Sequence, residues 1–251
     1  GLPICDLQKF SRWSMIGGSM LAGEVQAEKL EYLASETEEM RAYLTEQFDR
    51  SFDLPYFNDN TIINVLCEAF KKGELSKQEA IGTLIILFGA GGESTSALIG
   101  SAIFYFSNFP ELQRELRANK NLIGVFIEEV ARLQPSFKFH YRSVTRDCNL
   151  GGYEIFAGEK LLLSWDSANR DITMFEDPNS LSLYRKHPQR HMSFGRGVHF
   201  CLGALLARLE ARAVLEELIE KTSSISILDK PIYLNSIFVR RITSLNVLID
   251  S

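Results

Sequence analysis

One stretch, Lys77 to about Phe106, dictates much of the architecture. Ser76-Lys77-Gln78-Glu79 has the form of a capping box, in which a serine hydroxyl and a glutamate carboxylate each satisfy the other residue's backbone N–H. The segment behind it is apolar nearly all round over Ile81–Ala90. A helix without a polar face belongs in the middle of a domain, so the rest of the chain has to cover it.

The flanking sequence supplies helical cover. Glu24 to about Arg50 places Leu30, Leu33, Met40, Tyr43, Leu44 and Phe48 at roughly helical spacing. Pro55 and the Asn58-Asp59-Asn60 cluster end that helix and start another over Ile62–Phe70, which Lys71-Lys72-Gly73 closes. Pro110 opens a further helix, and Leu122–Leu133 forms one more until Gln134-Pro135 stops it. Beyond Pro135 the pattern changes. Phe139–Val144, Tyr153–Phe156 and Lys160–Ser164 are short, rich in aromatic and aliphatic residues, and separated by Gly151-Gly152 and Ala157-Gly158, which suits a small sheet. Leu202–Lys221 is again helical, and the tail alternates over Ile225-Ser226-Ile227 and Leu245–Ile249. The expectation is a mainly α fold with a small antiparallel β portion. No repeat or linker divides the chain, so a single domain over residues 1–251 is expected.

With 251 residues, 45% hydrophobic and 24% charged, the chain has the composition of a globular protein. A net charge of -5 argues against a nucleic-acid surface. No membrane span is expected, because the apolar runs around Leu84–Phe88 and Ile99–Phe106 are broken by Gly and Ser. Gly1-Leu2-Pro3-Ile4 lacks the basic and apolar regions of a secretory signal. Cys5, Cys67, Cys148 and Cys201 are far apart, which speaks against a disulfide framework or a structural zinc site. A cytoplasmic protein is the expectation.

The chemistry concentrates in Phe194-Gly195-Arg196-Gly197-Val198-His199-Phe200-Cys201-Leu202-Gly203. Gly195 and Gly197 permit a tight turn with unusual dihedrals. Cys201 falls just before a long helix, where unpaired N–H groups and the positive dipole end lower a thiol pKa. Gly203 removes a side chain where a flat cofactor would lie against the helix. A lone cysteine is otherwise a small buried hydrophobe; the turn, the helix start and the glycines favour a ligand.

These residues resemble the signature of the cytochrome P450 family, Phe-Gly-x-Gly-x-His-x-Cys-x-Gly, at Phe194, Gly195, Gly197, His199, Cys201 and Gly203. Further landmarks follow the family's order: Ala90-Gly91-Gly92-Glu93-Ser94-Thr95 on the long helix, Glu129-Val130-Ala131-Arg132 as the ExxR motif, and Ala168-Asn169-Arg170-Asp171 with Phe175, Asp177-Pro178 and Arg185 leading towards the cysteine. Asp6, Phe10 and Trp13-Ser14 look like the start of the family's F-helix region. The resemblance implies the C-terminal part of the P450 fold, with the ligand loop at 194–203 and the family's N-terminal part lying outside the match.

The resemblance also implies roles. Cys201 would ligate the iron of haem b. Arg142 and His199 would hold the haem propionates, with Phe194, Gly195, Gly197 and Gly203 shaping the loop. Ala90 and Gly91 would leave room for dioxygen and substrate. Glu93, Ser94 and Thr95 would relay protons, with Ser94 standing where the family usually has threonine. Glu129 and Arg132, three apart on one helix face, would form an ion pair that Arg185 completes, a structural network. His191 would support the loop, while His140 and His187 are ordinary histidines. Phe88, Phe137 and Phe238 are core or pocket residues.

The implied activity is insertion of one oxygen atom from O2 into a small organic substrate, as in secondary metabolism, with electrons from a ferredoxin or similar donor. Lys186, Arg190, Arg196 and Arg208 offer a basic docking patch for it. Two alternatives compete: a haem-binding or apo scaffold without oxygenase activity, and a non-oxygenating enzyme on the same framework. Apolar faces that the N-terminal part normally covers imply self-association or a covering partner.

Overall fold

The computed structural model describes residues 1–16, 26–54 and 61–250. Glu24, Pro55 and Asn58-Asp59-Asn60, expected to bound helices, lie outside the described residues. Contacts divide the chain into two compact units, Gly1–Glu93 and Ser94–Ser251, with the division falling inside the long helix.

The first unit contains α1 (Leu7–Ser14), α2 (Ala27–Phe52), α3 (Ile62–Lys71) and the first part of α4 (Lys77–Asn108). Met40, Leu44 and Phe48 of α2 recur at helical spacing and pack with Trp13, Ile63, Cys67 and Leu84 into one core. Thr61 caps α3, its hydroxyl accepting from Asn64 N at 3.3 Å. The capping box at α4 is reciprocal: Glu79 Oε2 accepts from Ser76 N at 2.7 Å, and Ser76 Oγ accepts from Glu79 N at 3.2 Å.

The long helix runs unbroken through its glycines and serines, as the expected helix from Lys77 to about Phe106 requires; each such residue costs a helix only about 1 kcal/mol or less. By length and composition alone α4 is long and apolar enough to cross a bilayer, with a most apolar stretch of mean hydropathy 1.3. In the second unit its Leu98, Ala102 and Phe106 are core residues instead.

That second core is completed by α5 (Pro110–Ala118), α6 (Ile123–Leu133) and α8 (Ala204–Lys221). Four antiparallel strand pairs lie around it. The pair β1 (Phe139–Ser143) and β4 (Lys160–Ser164) registers Tyr141 opposite Leu162 and Arg142 opposite Leu161. The others are β2 (Cys148–Leu150) with β3 (Tyr153–Ile155), β5 (Ser224–Ile227) with β8 (Val247–Asp250), and β6 (Ile232–Tyr233) with β7 (Ile242–Ser244). The buried Gln113 amide of α5 ties the sheet to the helices, donating to Ile225 O at 2.5 Å and accepting from Ile225 N at 3.1 Å. A short helix α7 (Trp165–Ala168) follows β4. The architecture is mainly helical with small antiparallel sheets.

Candidate active site

Polar architecture of the second unit converges on the C-terminus of α6. A helix leaves its last carbonyls without intrahelical partners, and here side chains from separate segments take them. Ser193 Oγ donates to Ala131 O at 2.6 Å, Asn169 Nδ2 to Arg132 O at 3.0 Å, and Arg170 and Arg240 to Leu133 O at 2.7 and 3.3 Å. Asp166 fixes both of those arginines, with Arg240 Nη2 2.6 Å from its Oδ2. Through Ser193, the segment leading to Cys201 is tied to this helix end.

Glu129 and Arg132 sit three apart on α6, both fully buried. The pair is bidentate: Arg132 Nε and Nη2 donate to Glu129 Oε1 and Oε2 at 2.7 and 2.9 Å. Arg132 also donates to the carbonyls of Asn169, Pro178 and Ser180 at 3.0, 2.5 and 2.9 Å. Ser182 N donates to Glu129 Oε2 at 3.1 Å. Arg185 Nε lies 2.8 Å from Glu129 Oε1, an ion pair too bent to count as a hydrogen bond. Burial alone would raise the Glu129 pKa, but the two arginines outweigh it and hold the carboxyl below its ordinary value. Phe175 offers its ring to both cations, 5.0 Å from Arg132 Cζ and 5.9 Å from Arg185 Cζ.

The cysteine loop is held largely by its own backbone. Gly195 and Gly197 adopt φ of 70° and 72°, the left-handed region that side chains disfavour. Gly195 N donates to Met192 O at 2.8 Å, Phe200 N to Gly197 O at 3.0 Å and Cys201 N to Phe194 O at 2.8 Å. This closure leaves Cys201 exposed as a free thiol immediately before α8. A Cβ at Gly203 would stand 4.0 Å from Cys201 Sγ, ordinary van der Waals contact, so the chain itself does not demand glycine there.

A lone thiol fits one particular kind of metal group. Among the described residues no three His, Cys, Asp or Glu side chains gather to hold a bare ion. Val198, Leu202 and Leu205 beside Cys201 are 95%, 86% and 81% exposed, with Leu206, Leu209 and Phe200 also open. One soft donor set among uncovered apolar side chains suits the thiolate-ligated iron of a haem.

The remaining residues singled out from sequence fall as follows. Arg142 is exposed on β1, its Nη1 donating to Tyr141 O at 2.9 Å, and His199 is exposed in the turn Gly197–His199. On α4, Ala90 and Gly91 are exposed, Glu93 is buried, and Ser94 and Thr95 are half-buried. Ser136 Oγ donates to Ser94 O at 2.9 Å, a donor from outside the helix. Phe88 packs in the first-unit core, with Phe10 at 5.4 Å. In the second unit Phe137, Phe238 and His140 form an aromatic cluster, centroids 5.0–5.6 Å apart. His140 accepts from Trp165 Nε1 at 2.6 Å, and burial holds its pKa below the usual value.

Sequence reasoning missed Glu128. Its carboxylate meets His191 Nε2 at 3.1 Å and receives Arg208 Nε and Nη2 at 2.5 and 2.9 Å. Burial would raise its pKa, yet Arg208 and His191 bring it down to about 2. Arg208, read from sequence as a docking charge, therefore turns inward, with its Cζ 4.3 Å from the Phe194 ring centroid. The available signal was the adjacency of two acids, Glu128 and Glu129, in a helix whose one cation, Arg132, can face only one of them. Neighbouring positions point about 100° apart, so two acids there need two separate sets of partners.

Comparison with known proteins defines the class. Residues 19–226 match the cytochrome P450 family, and the chain belongs to it. Members of this family bind haem iron through a cysteine thiolate. Among relatives, cytochrome P450 144 of Mycobacterium tuberculosis is 42% identical over 250 residues, covering all of this chain and 57% of that protein. The mycinamicin IV hydroxylase/epoxidase of Micromonospora griseorubida is 35% identical over 90% of this chain and 55% of its own length. The crystal structure of CYP109E1 from Bacillus megaterium with testosterone superposes with a TM-score of 0.87 at 33% identity, covering 98% of this chain and 66% of that one. The chain thus spans about half the length of the curated relatives it matches.

Proposed function

We propose that this chain is the iron-holding part of a haem-thiolate monooxygenase. It would insert one oxygen atom from O2 into a small organic substrate, in the cytoplasm, with electrons from a ferredoxin or similar donor. The observation that carries this reading is the exposed Cys201 thiol, presented by a glycine turn at the start of α8.

When bound, haem supplies the centre at which dioxygen is reduced and oxygen is passed to the substrate. The chain's own residues then have distinct tasks. Cys201 is the sulfur ligand, held by the bond from its N–H to Phe194 O, while Gly195, Gly197 and Gly203 keep the loop close to the helix start. Arg142 and His199 offer cationic or donor groups to the propionate carboxylates. Ala90 and Gly91 leave room beside α4. The Glu93 carboxyl and the Ser94 and Thr95 hydroxyls hold and pass protons on that side. Glu129, Arg132 and Arg185 form a structural network with the segment from Asn169 to Ser182 and take no part in the chemistry.

The mycinamicin IV hydroxylase/epoxidase among the relatives supports a setting in secondary metabolism. The uncovered apolar side chains around Cys201 support further cover beyond haem, from a second copy or a protein partner. The test is the absorption spectrum of the reduced protein with carbon monoxide, for the native chain and Cys201→Ser. A thiolate-type Soret band, lost in the variant, is expected. Failure of the native chain to take up haem, or an unchanged band in the variant, would overturn the reading.

A further inference from the structure

We propose that Arg208, anchored by Glu128, is the positioning residue of the Cys201 loop: it clamps the Phe194 ring and, through the Phe194 carbonyl, fixes the backbone that presents the sulfur. This rests on the reading of Cys201 as the haem ligand.

Three observations build the clamp. The Glu128 carboxylate is nearly buried and takes two hydrogen bonds from one edge of the Arg208 guanidinium, a bidentate geometry that fixes its plane as well as its position. That plane lies over Phe194, with Cζ 4.3 Å from the ring centroid. Phe194 is in turn the residue whose carbonyl accepts the Cys201 N–H at 2.8 Å. The chain of contacts therefore runs from α6 through Arg208 and Phe194 to the backbone of Cys201.

His191 completes the anchor from the other side. Its Nδ1 accepts from Ser193 N at 3.2 Å, which leaves the Nε2 proton for Glu128. Its ring also lies 5.6 Å from Phe194. Phe194 is thus gripped by a cation and an imidazole that share one carboxylate. Arg208 is itself held as a cation chiefly by the bond to Glu128, which raises its pKa, so the charge over the Phe194 ring is a fixed one.

The first test needs no haem. Amide hydrogen exchange is followed in the chain and in Arg208→Met, Arg208→Lys and Glu128→Gln. Arg208→Met is expected to speed exchange at Gly195 and Cys201 at least about tenfold while leaving α6 unchanged, because only the local opening changes. Glu128→Gln should move the same amides in the same direction, and it keeps the proposal testable if Arg208→Met does not fold. Arg208→Lys should recover part of the protection, since lysine keeps the charge but lacks the planar fork. Loop exchange within about twofold of the native chain, or acceleration spread equally through the second unit, overturns the clamp.

The second test uses the haem-loaded protein and reads reduction potential. Arg208→Met should shift it from the native value, because a freed Phe194 no longer fixes the Cys201 backbone, and Arg208→Lys should recover part of the shift. A potential identical in all three overturns the positioning role. If the native chain takes up no haem, the haem-ligand reading fails on its own, while the exchange result still decides the clamp.

Discussion

The Glu129–Arg132 cluster and the Cys201 loop meet at Ser193 yet are built on opposite terms. In the cluster the bidentate pair is fully buried, and its remaining oxygens and donors find partners within the chain. The loop closes on backbone hydrogen bonds and turns Val198, Leu202 and Leu205 outwards. Burying such a side chain fully is worth about 1.5–3 kcal/mol. The cluster is therefore complete in itself, whereas the loop leaves apolar side chains uncovered. On the proposed reading one region supplies stability and the other takes haem, and substitutions should separate the two.

The largest effect is expected at Arg132→Met. Removing one partner strands a buried carboxylate and several carbonyls, at about 3–5 kcal/mol. Urea denaturation measures it, and a loss below about 1 kcal/mol would mean the cluster is no stability element. Next comes acid. The folded Glu128 pKa of about 2 lies below its ordinary 4.5, so its contribution is fully present above 4.5 and is lost as pH falls from there towards 2. That window is worth at most about 3 kcal/mol, and Glu128→Gln should flatten the fall of the urea midpoint across it.

Gly195→Ala forces a side chain into the left-handed region at φ 70°, for about 1–2 kcal/mol. The comparison sharpens if the cost appears as faster exchange in the loop and leaves the cluster untouched. Smallest is Cys201→Ser in the haem-free chain. An exposed thiol contributes little to folding, so the unfolding free energy from urea denaturation should stay within about 0.5 kcal/mol while haem binding through sulfur disappears. A large loss of stability there would erase the distinction between the regions.

Much of this was legible in the sequence because it is local. The Ser76–Glu79 box, the Lys160–Ser164 strand and the end of α6 before Pro135 follow from capping, alternation and proline chemistry. The cysteine loop was legible because its glycines serve a backbone conformation. The strands β2, β6 and β7 were not read, being two or three residues long and defined by partners rather than by pattern. The extent of α4 was legible too, because the capping box that starts it and the apolar run behind it are both local signals. Glu128 escaped for a different reason. Its partners His191 and Arg208 lie 63 and 80 positions away, and no short-range rule connects a carboxylate to a guanidinium on a later helix.

Gly92 carries a historical consequence. A Cβ placed there would come 2.2 Å from Ser14 Cβ, where α1 crosses α4 in the first unit. The two positions are consequently bound together in descent. A lineage can acquire alanine at 92 only after 14 has shed its side chain or α1 has moved aside, so the order of those two mutations is not free.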